Sequence, residues 1–252
     1  DIHQHVNQTT PFVDQNQTYT SHPSHQAFLR EYMTGSDGQL HSSGKLLQHA
    51  QGPDGIAGTA DDNTGMATWA DLKANALKLG IILTDYNVGD VPLLATDAYG
   101  NFIPGAHGFA QVVVHHANGT VSLVEGTATG LDLTHPDPND PTATVVFTGH
   151  AFINDTAFNA VPFAQDGVTH LVADGDNEAG NDIGLTPTGD KLSYDNELLD
   201  AHYIAGDGRA NENIGLTAVH TIFHSEHNRL VAQTKAVLLT ATLTDPAAAA
   251  AP

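Results

Sequence analysis

The stretch Ala205-Gly206-Asp207-Gly208-Arg209-Ala210-Asn211-Glu212-Asn213 runs without a break into a segment with strong periodicity. There Leu216, Val219, His220, Phe223, His227, Leu230, Val231, Thr234 and Val237 recur at steps of three and four. That spacing gathers them on one helical face and predicts a single long helix from Gly215 to about Thr240. The turn before it flanks Asp207 with glycines and sets Arg209 and Glu212 three residues apart at the mouth of the helix. A helix N-terminus offers unsatisfied N–H groups and the positive end of the dipole. Such a turn forms a polarised concave site for an anion or a polar small ligand, with Arg209 as fixed charge and Glu212 as carboxylate partner. The plainer alternative is a capping turn closed by an Arg209–Glu212 ion pair. Further along, His220, His224 and His227 share a face at i, i+4 and i+7, a spacing that zinc can use. His220 and His227 nevertheless fall on the apolar stripe, which points to buried, hydrogen-bonded core histidines. The Glu that a metalloprotease carries directly after its first His is missing.

A second constellation stands near the start, in Thr10-Pro11-Phe12-Val13-Asp14-Gln15-Asn16. In extended backbone, residues two apart point the same way. The side chains of Thr10, Asp14 and Asn16 and the carbonyl of Phe12 can therefore converge on one hard cation. Calcium takes six to eight oxygens at about 2.3–2.6 Å, so this loop offers about half a shell; an ordinary polar loop is the other reading.

Between these ends the chain is punctuated by turns. Ser24–Met33 reads as a short helix entered after Pro23 and ended by Gly35, and 34–65 as loop. Thr68-Trp69-Ala70-Asp71 opens a helix that Gly80 closes, with Trp69, Leu72, Ala76 and Leu79 on its core face. Gln111–Val114 and Val121–Val124 flank Asn118-Gly119, a hairpin signal. His135–Pro141 is loop, another short helix is expected around Gly149–Asn159, and 164–193 is loop again. Tyr194–Tyr203 is helix or turn. The predicted class is mainly α, with extensive irregular loops and a small β-hairpin insert.

Composition bounds the partners. Eight basic against 29 acidic residues give a formal charge of −21. Such a surface repels nucleic-acid phosphates and anionic lipid and calls for cations. The acidic turns Asp54–Asp62 and Asp174–Asp182 are either further calcium loops or plain solvated turns. No apolar run reaches the length of about 18 residues that a membrane span needs. The absence of cysteine excludes disulfides, iron–sulfur clusters and thiolate zinc sites. Together with the Asp/Gly-rich loops it fits a secreted bacterial protein. No secretory signal opens the chain, and Asp1 in place of Met suggests a processed or excised piece.

Taken together, Gly206-Asp207-x-Arg209-x-x-Glu212, Leu216-Thr217-x-x-His220-Thr221-x-Phe223 and Glu226-His227-Asn228-Arg229-Leu230 resemble the distal arginine segment of the animal haem peroxidase family. Thr10-x-Phe12-x-Asp14-x-Asn16, with Tyr19 and Phe28-Leu29-Arg30 after it, resembles that family's calcium loop, in the right order upstream. The resemblance covers about residues 8–33 and 194–240. It implies a partial animal haem peroxidase fold in four parts: a calcium-loop segment with a short helix over 1–34, a loop-rich insert over 35–193, the distal-arginine turn and long helix over 194–244, and a linker over 245–252. It implies haem in the intact domain, with Arg209 polarising bound hydrogen peroxide and Glu212 at the position of the glutamate that can form an ester to a haem methyl. Thr10, Phe12, Asp14 and Asn16 align with calcium ligands, Asn16 standing where serine is usual, and Ser225 stands where arginine is common. The family's distal and proximal histidines have no counterpart here, and His150 precedes Arg209, the wrong order for the proximal one. The resemblance therefore implies a peroxidase fragment, inactive by itself, that relies on flanking segments of the same polypeptide and, as a whole domain, oxidises small donors in responses to oxidative stress. A calcium-stabilised structural or adhesive module of a large extracellular protein is the alternative.

Overall fold

A computed structural model describes residues 15–154, 159–180 and 184–244 of the chain. In chain order, the helices are α1 (Asn16–Tyr19), α2 (Pro23–Leu29), α3 (Trp69–Lys78), α4 (Asn196–Asp200) and α5 (Ile214–Thr244). The strands form four small sheets. β1 (Arg30–Thr34) pairs antiparallel with β2 (Leu40–Leu46), and β3 (Ile81–Ile82) pairs parallel with β6 (Leu131–Asp132). β4 (Gln111–His115) is flanked by β5 (Val121–Glu125) and β7 (Thr144–Val145), and β8 (Val172–Ala173) pairs parallel with β9 (Ser193–Tyr194). Helix makes up 29% and strand 21% of the described residues, so the expectation of a mainly α chain is corrected to a mixture of helices and several small sheets.

The reason lies in backbone partners that sequence periodicity does not show. The helix expected over Ser24–Met33 stops at Leu29 because the buried Asn75 side chain of α3 donates to the carbonyls of Phe28 (2.8 Å) and Arg30 (2.9 Å). Beyond that point the chain pairs as β1 with β2, a strand of polar sequence that was expected to be loop, with Tyr32 opposite Ser42 and Met33 opposite His41. The helix expected around Gly149–Asn159 is absent from the described part, 149–154. There the Gly149 N–H goes to the Asp90 carboxylate and the Phe152 N–H to the Val88 carbonyl, both distant in sequence.

Where signals were local, they held. α3 is closed at its N-terminus by a reciprocal cap: Asp71 accepts from the Thr68 N–H at 2.8 Å, and Thr68 Oγ1 accepts from the Asp71 N–H at 3.5 Å. Gly80 ends the helix with φ of 84°, and a Cβ there would sit 2.8 Å from the Phe109 ring and from the Thr127 nitrogen. The hairpin β4–β5 turns at Asn118-Gly119 as expected.

One contiguous core joins α2, α3, the sheets and the loop at 152. Its centre is Phe152, whose ring meets Phe28 at 5.4 Å, Trp69 at 5.3 Å and His25 at 5.2 Å. Trp69, Leu72, Ala76 and Leu79 are fully buried, the face expected of α3. Each large side chain so buried contributes about 1.5–3 kcal/mol.

α5 docks differently from its expectation. Val219, Phe223, Leu230 and Val237, the expected core face, are 38–60% exposed. The buried side is polar and runs along β2. His224 Nε2 donates to Leu47 O (2.8 Å), while Asn228 accepts from Leu46 N and donates to Leu46 O, both at 2.8 Å. His227 Nε2 lies 3.1 Å from Gly44 O, and Lys235 Nζ donates to Ser43 O. No helix among the described residues is long and apolar enough to cross a membrane.

Candidate functional site

The turn that carries Arg209 is held from two sides. Ser21 N donates to Gly206 O (2.9 Å) and Gly206 N to Thr18 O (3.1 Å), tying it to α1. Asn154 N donates to Gly208 O (3.2 Å), tying it to the loop beside Phe152. Gly206 is required by this closeness, since a Cβ there would fall 2.2 Å from the Tyr19 carbonyl carbon. The turn then makes one stretch of 3₁₀ helix, Gly208–Asn211, and passes into α5.

Asp207 governs the arginine. Its buried carboxylate caps the turn by accepting from the Arg209 N–H (2.8 Å), then takes Arg209 Nε at 2.9 Å and Nη2 at 2.8 Å. The guanidinium holds the Asp207 carboxyl down at about 2 and is oriented by two parallel bonds, a geometry that arginine forms and lysine cannot. Its side chain is 51% exposed, and Nη1 has no partner among the described residues. The expected Arg209–Glu212 partnership is thus replaced by Arg209–Asp207. An aspartate at the N-cap, two residues before the arginine, was the available signal.

Glu212 is exposed and accepts from Asn154 Nδ2 at 3.0 Å. It stands on the rim of a groove of about 500 Å³, whose walls include Leu198, Ala201, His202, Ile214 and Ala218. Nothing in the sequence linked Asn154 to this site, because the contact spans 58 residues.

The segment that directly follows the N-terminal constellation meets α5 and the Arg209 turn. Beyond the backbone bonds, His220 of α5 lies between Thr18 (Nδ1 to Oγ1, 2.6 Å) and Gln17 (Nε2 to Oε1, 3.2 Å) of α1. The His227 and Tyr19 rings lie 5.3 Å apart. Asn16 begins α1 and is exposed; Thr10, Phe12 and Asp14 lie outside the described residues. Burial pushes His220 below its ordinary value, opposed by the Asp207 charge, and pushes His224 down to about 4. His220 and His224 are buried and hydrogen-bonded, whereas His227, expected on the core face with His220, is only partly buried; among the described residues these three form no ligand group. The Asp54–Asp62 turn is closed by its own donors, with Gly58 N on Asp62, Ile56 N on Asp54 and Thr59 Oγ1 on Asp61.

Residues 172–240 match the family model of the animal haem peroxidase, a span that takes in α4, the Arg209 turn and most of α5 and begins within the segment expected to be an insert. The peroxidasin homolog of Mus musculus is 43% identical to the chain over 47 residues, 19% of this chain and about 3% of that protein's length. No solved structure matches the chain.

Proposed function

We propose that this chain is the distal-arginine portion of a secreted haem peroxidase that reduces hydrogen peroxide while oxidising small donors, acting with flanking segments of the same polypeptide. The carrying observation is the Arg209 turn: a half-exposed guanidinium, fixed by Asp207 along one edge, at the mouth of α5 and inside the matched span. The residues present fit a haem edge in two respects. The groove beside α5 mixes apolar residues, Leu198, Ala201, Ile214 and Ala218, with polar ones and one carboxylate, Glu212, and the Arg209 charge, three residues before Glu212, is oriented by Asp207 and leaves Glu212 to Asn154. When bound, haem supplies the redox chemistry. Arg209 would bind the peroxide oxygen and stabilise negative charge on it as the O–O bond breaks, an electrostatic role that needs no reorganisation because Asp207 has already oriented the group. Glu212 is the carboxylate that would face a haem substituent. Calcium is assigned to Thr10, Phe12, Asp14 and Asn16; the junction of α1 with the Arg209 turn supports it, because a cation there would stiffen the segment that holds the turn. Acidity and the lack of cysteine support a secreted location.

The test is spectroscopic and kinetic. The native polypeptide should show a Soret band and consume peroxide with donor oxidation. Arg209→Gln should keep the band and slow the peroxide reaction by about 100-fold, the scale of losing one such donor. A native polypeptide without a Soret band that melts in a calcium-dependent way would overturn this reading in favour of a non-catalytic calcium-stabilised module.

A further inference from the structure

The N-terminus of α4 carries a group of carboxylates that the peroxide chemistry does not use. Asp174 follows β8, Asp195 caps α4 and Glu197 lies in its first turn. One carboxylate oxygen from each lies within 4.8 Å of the other two. Two oxygens that share one calcium at about 2.4 Å can be no further apart than about 4.8 Å, so the spacing suits a single ion.

Acidic turns are common without a ligand, and Asp54–Asp62 above shows how such a turn satisfies itself. This group does not. Asp195 is fully buried, and its two oxygens take the N–H groups of Leu198 (2.7 Å) and Gly180 (2.5 Å). Asp174 Oδ2 and Glu197 Oε2, however, are each inaccessible to solvent and have no hydrogen-bond partner among the described residues. Their second oxygens are engaged, by Gly175 N and Asn196 Nδ2 respectively. A buried carboxylate oxygen without a donor costs several kcal/mol, and two beside a third like charge cost more. Lys73, which binds α4 through Asp200 (2.6 Å), is also held by Asp85 (2.7 Å) and is committed to that pair.

We infer that Asp174, Asp195 and Glu197 form a calcium site that clamps the turn after β8 to the start of α4. The set is all oxygen, with no nitrogen or sulfur, which selects a hard cation over zinc or copper. The site uses none of the N-terminal residues assigned above and does not depend on haem.

The experiment uses the full chain stripped with EDTA, calcium titration by calorimetry and thermal melts, with Glu197→Gln and Asp14→Asn as variants. Calcium should raise Tm, and Glu197→Gln should weaken one binding event by about 10-fold or more through the lost ligand charge, while Asp14→Asn leaves that event intact. In EDTA the sign should invert: Glu197→Gln should melt at or above the unsubstituted chain, because it relieves like-charge repulsion that no cation then balances. Unchanged calcium affinity in Glu197→Gln, loss of every calcium response in Asp14→Asn, equal effectiveness of magnesium, or a lower melt of Glu197→Gln in EDTA would each overturn the site.

Discussion

Arg209 shows how a single charge is made useful by its neighbour. Asp207 takes two of the guanidinium donors and the turn's own N–H, and leaves Nη1 for a ligand. Arg209→Gln abolishes the fixed charge and takes two donors from the buried Asp207 carboxylate, so it is expected to lower the urea midpoint as well as slow the peroxide reaction. Asp207→Asn should also loosen the turn, costing about 1 kcal/mol, the upper range for a pair with one exposed member, and its signature is the pH dependence. The folded carboxyl lies at about 2 against an ordinary 3.8, so the contribution is present above pH about 4 and is lost as pH falls towards 2. Urea midpoints between pH 5 and 2.5 should converge for the two proteins; parallel curves would separate Asp207 from Arg209. The N-cap aspartate was a signal for this pairing, but spacing favoured Glu212 because it sits at i+3, whereas the turn's 3₁₀ geometry brings the i−2 carboxylate into the fork.

Among the elements, α5 carries the sharpest lesson, because its buried strip is polar. Strand β2 offers backbone groups on the side away from β1, and His224 and Asn228 satisfy them. Asn228→Ala should cost about 2 kcal/mol, since it leaves the Leu46 N–H and carbonyl unpaired in a buried place, measured by urea unfolding. Leu230→Ala, on the exposed side of the same helix, should cost far less. Two buried histidines set a second pH dependence. Burial pushes His25 and His224 to about 4 from an ordinary 6.5, so the unfolded chain binds protons that the folded chain refuses. Stability should hold above pH about 6.5 and fall as pH drops from there to about 4. Replacing His224 by Gln should flatten part of that slope, and an unchanged slope would refute the assignment.

At the scale of the molecule, Phe152 links α2, α3 and His25 across one core, and Phe152→Ala should lower stability by about 3–5 kcal/mol, which calorimetry would detect as loss of a cooperative transition at its former temperature. The same residue sits two positions before Asn154, which reaches Glu212, so damage to the core should also reach the Arg209 turn. The sequence by itself determined what depends on near neighbours: the Thr68–Asp71 cap and Gly80 stop of α3, the Asn118-Gly119 hairpin, the extent of α5, and the Arg209 turn with its likeness to animal haem peroxidases. Only the tertiary structure decided that residues 30–34 form a strand, that α5 turns His220, His224 and Asn228 inward, that Asp207 holds Arg209, and that Asp174 meets Asp195 and Glu197. In each of these cases the deciding partner is a backbone or carboxylate group brought close by folding, or a turn geometry that hydrophobic periodicity does not record. Such hydrogen bonds and charges are satisfied in space, whereas caps, glycine turns and helical repeats are satisfied within a few residues of chain.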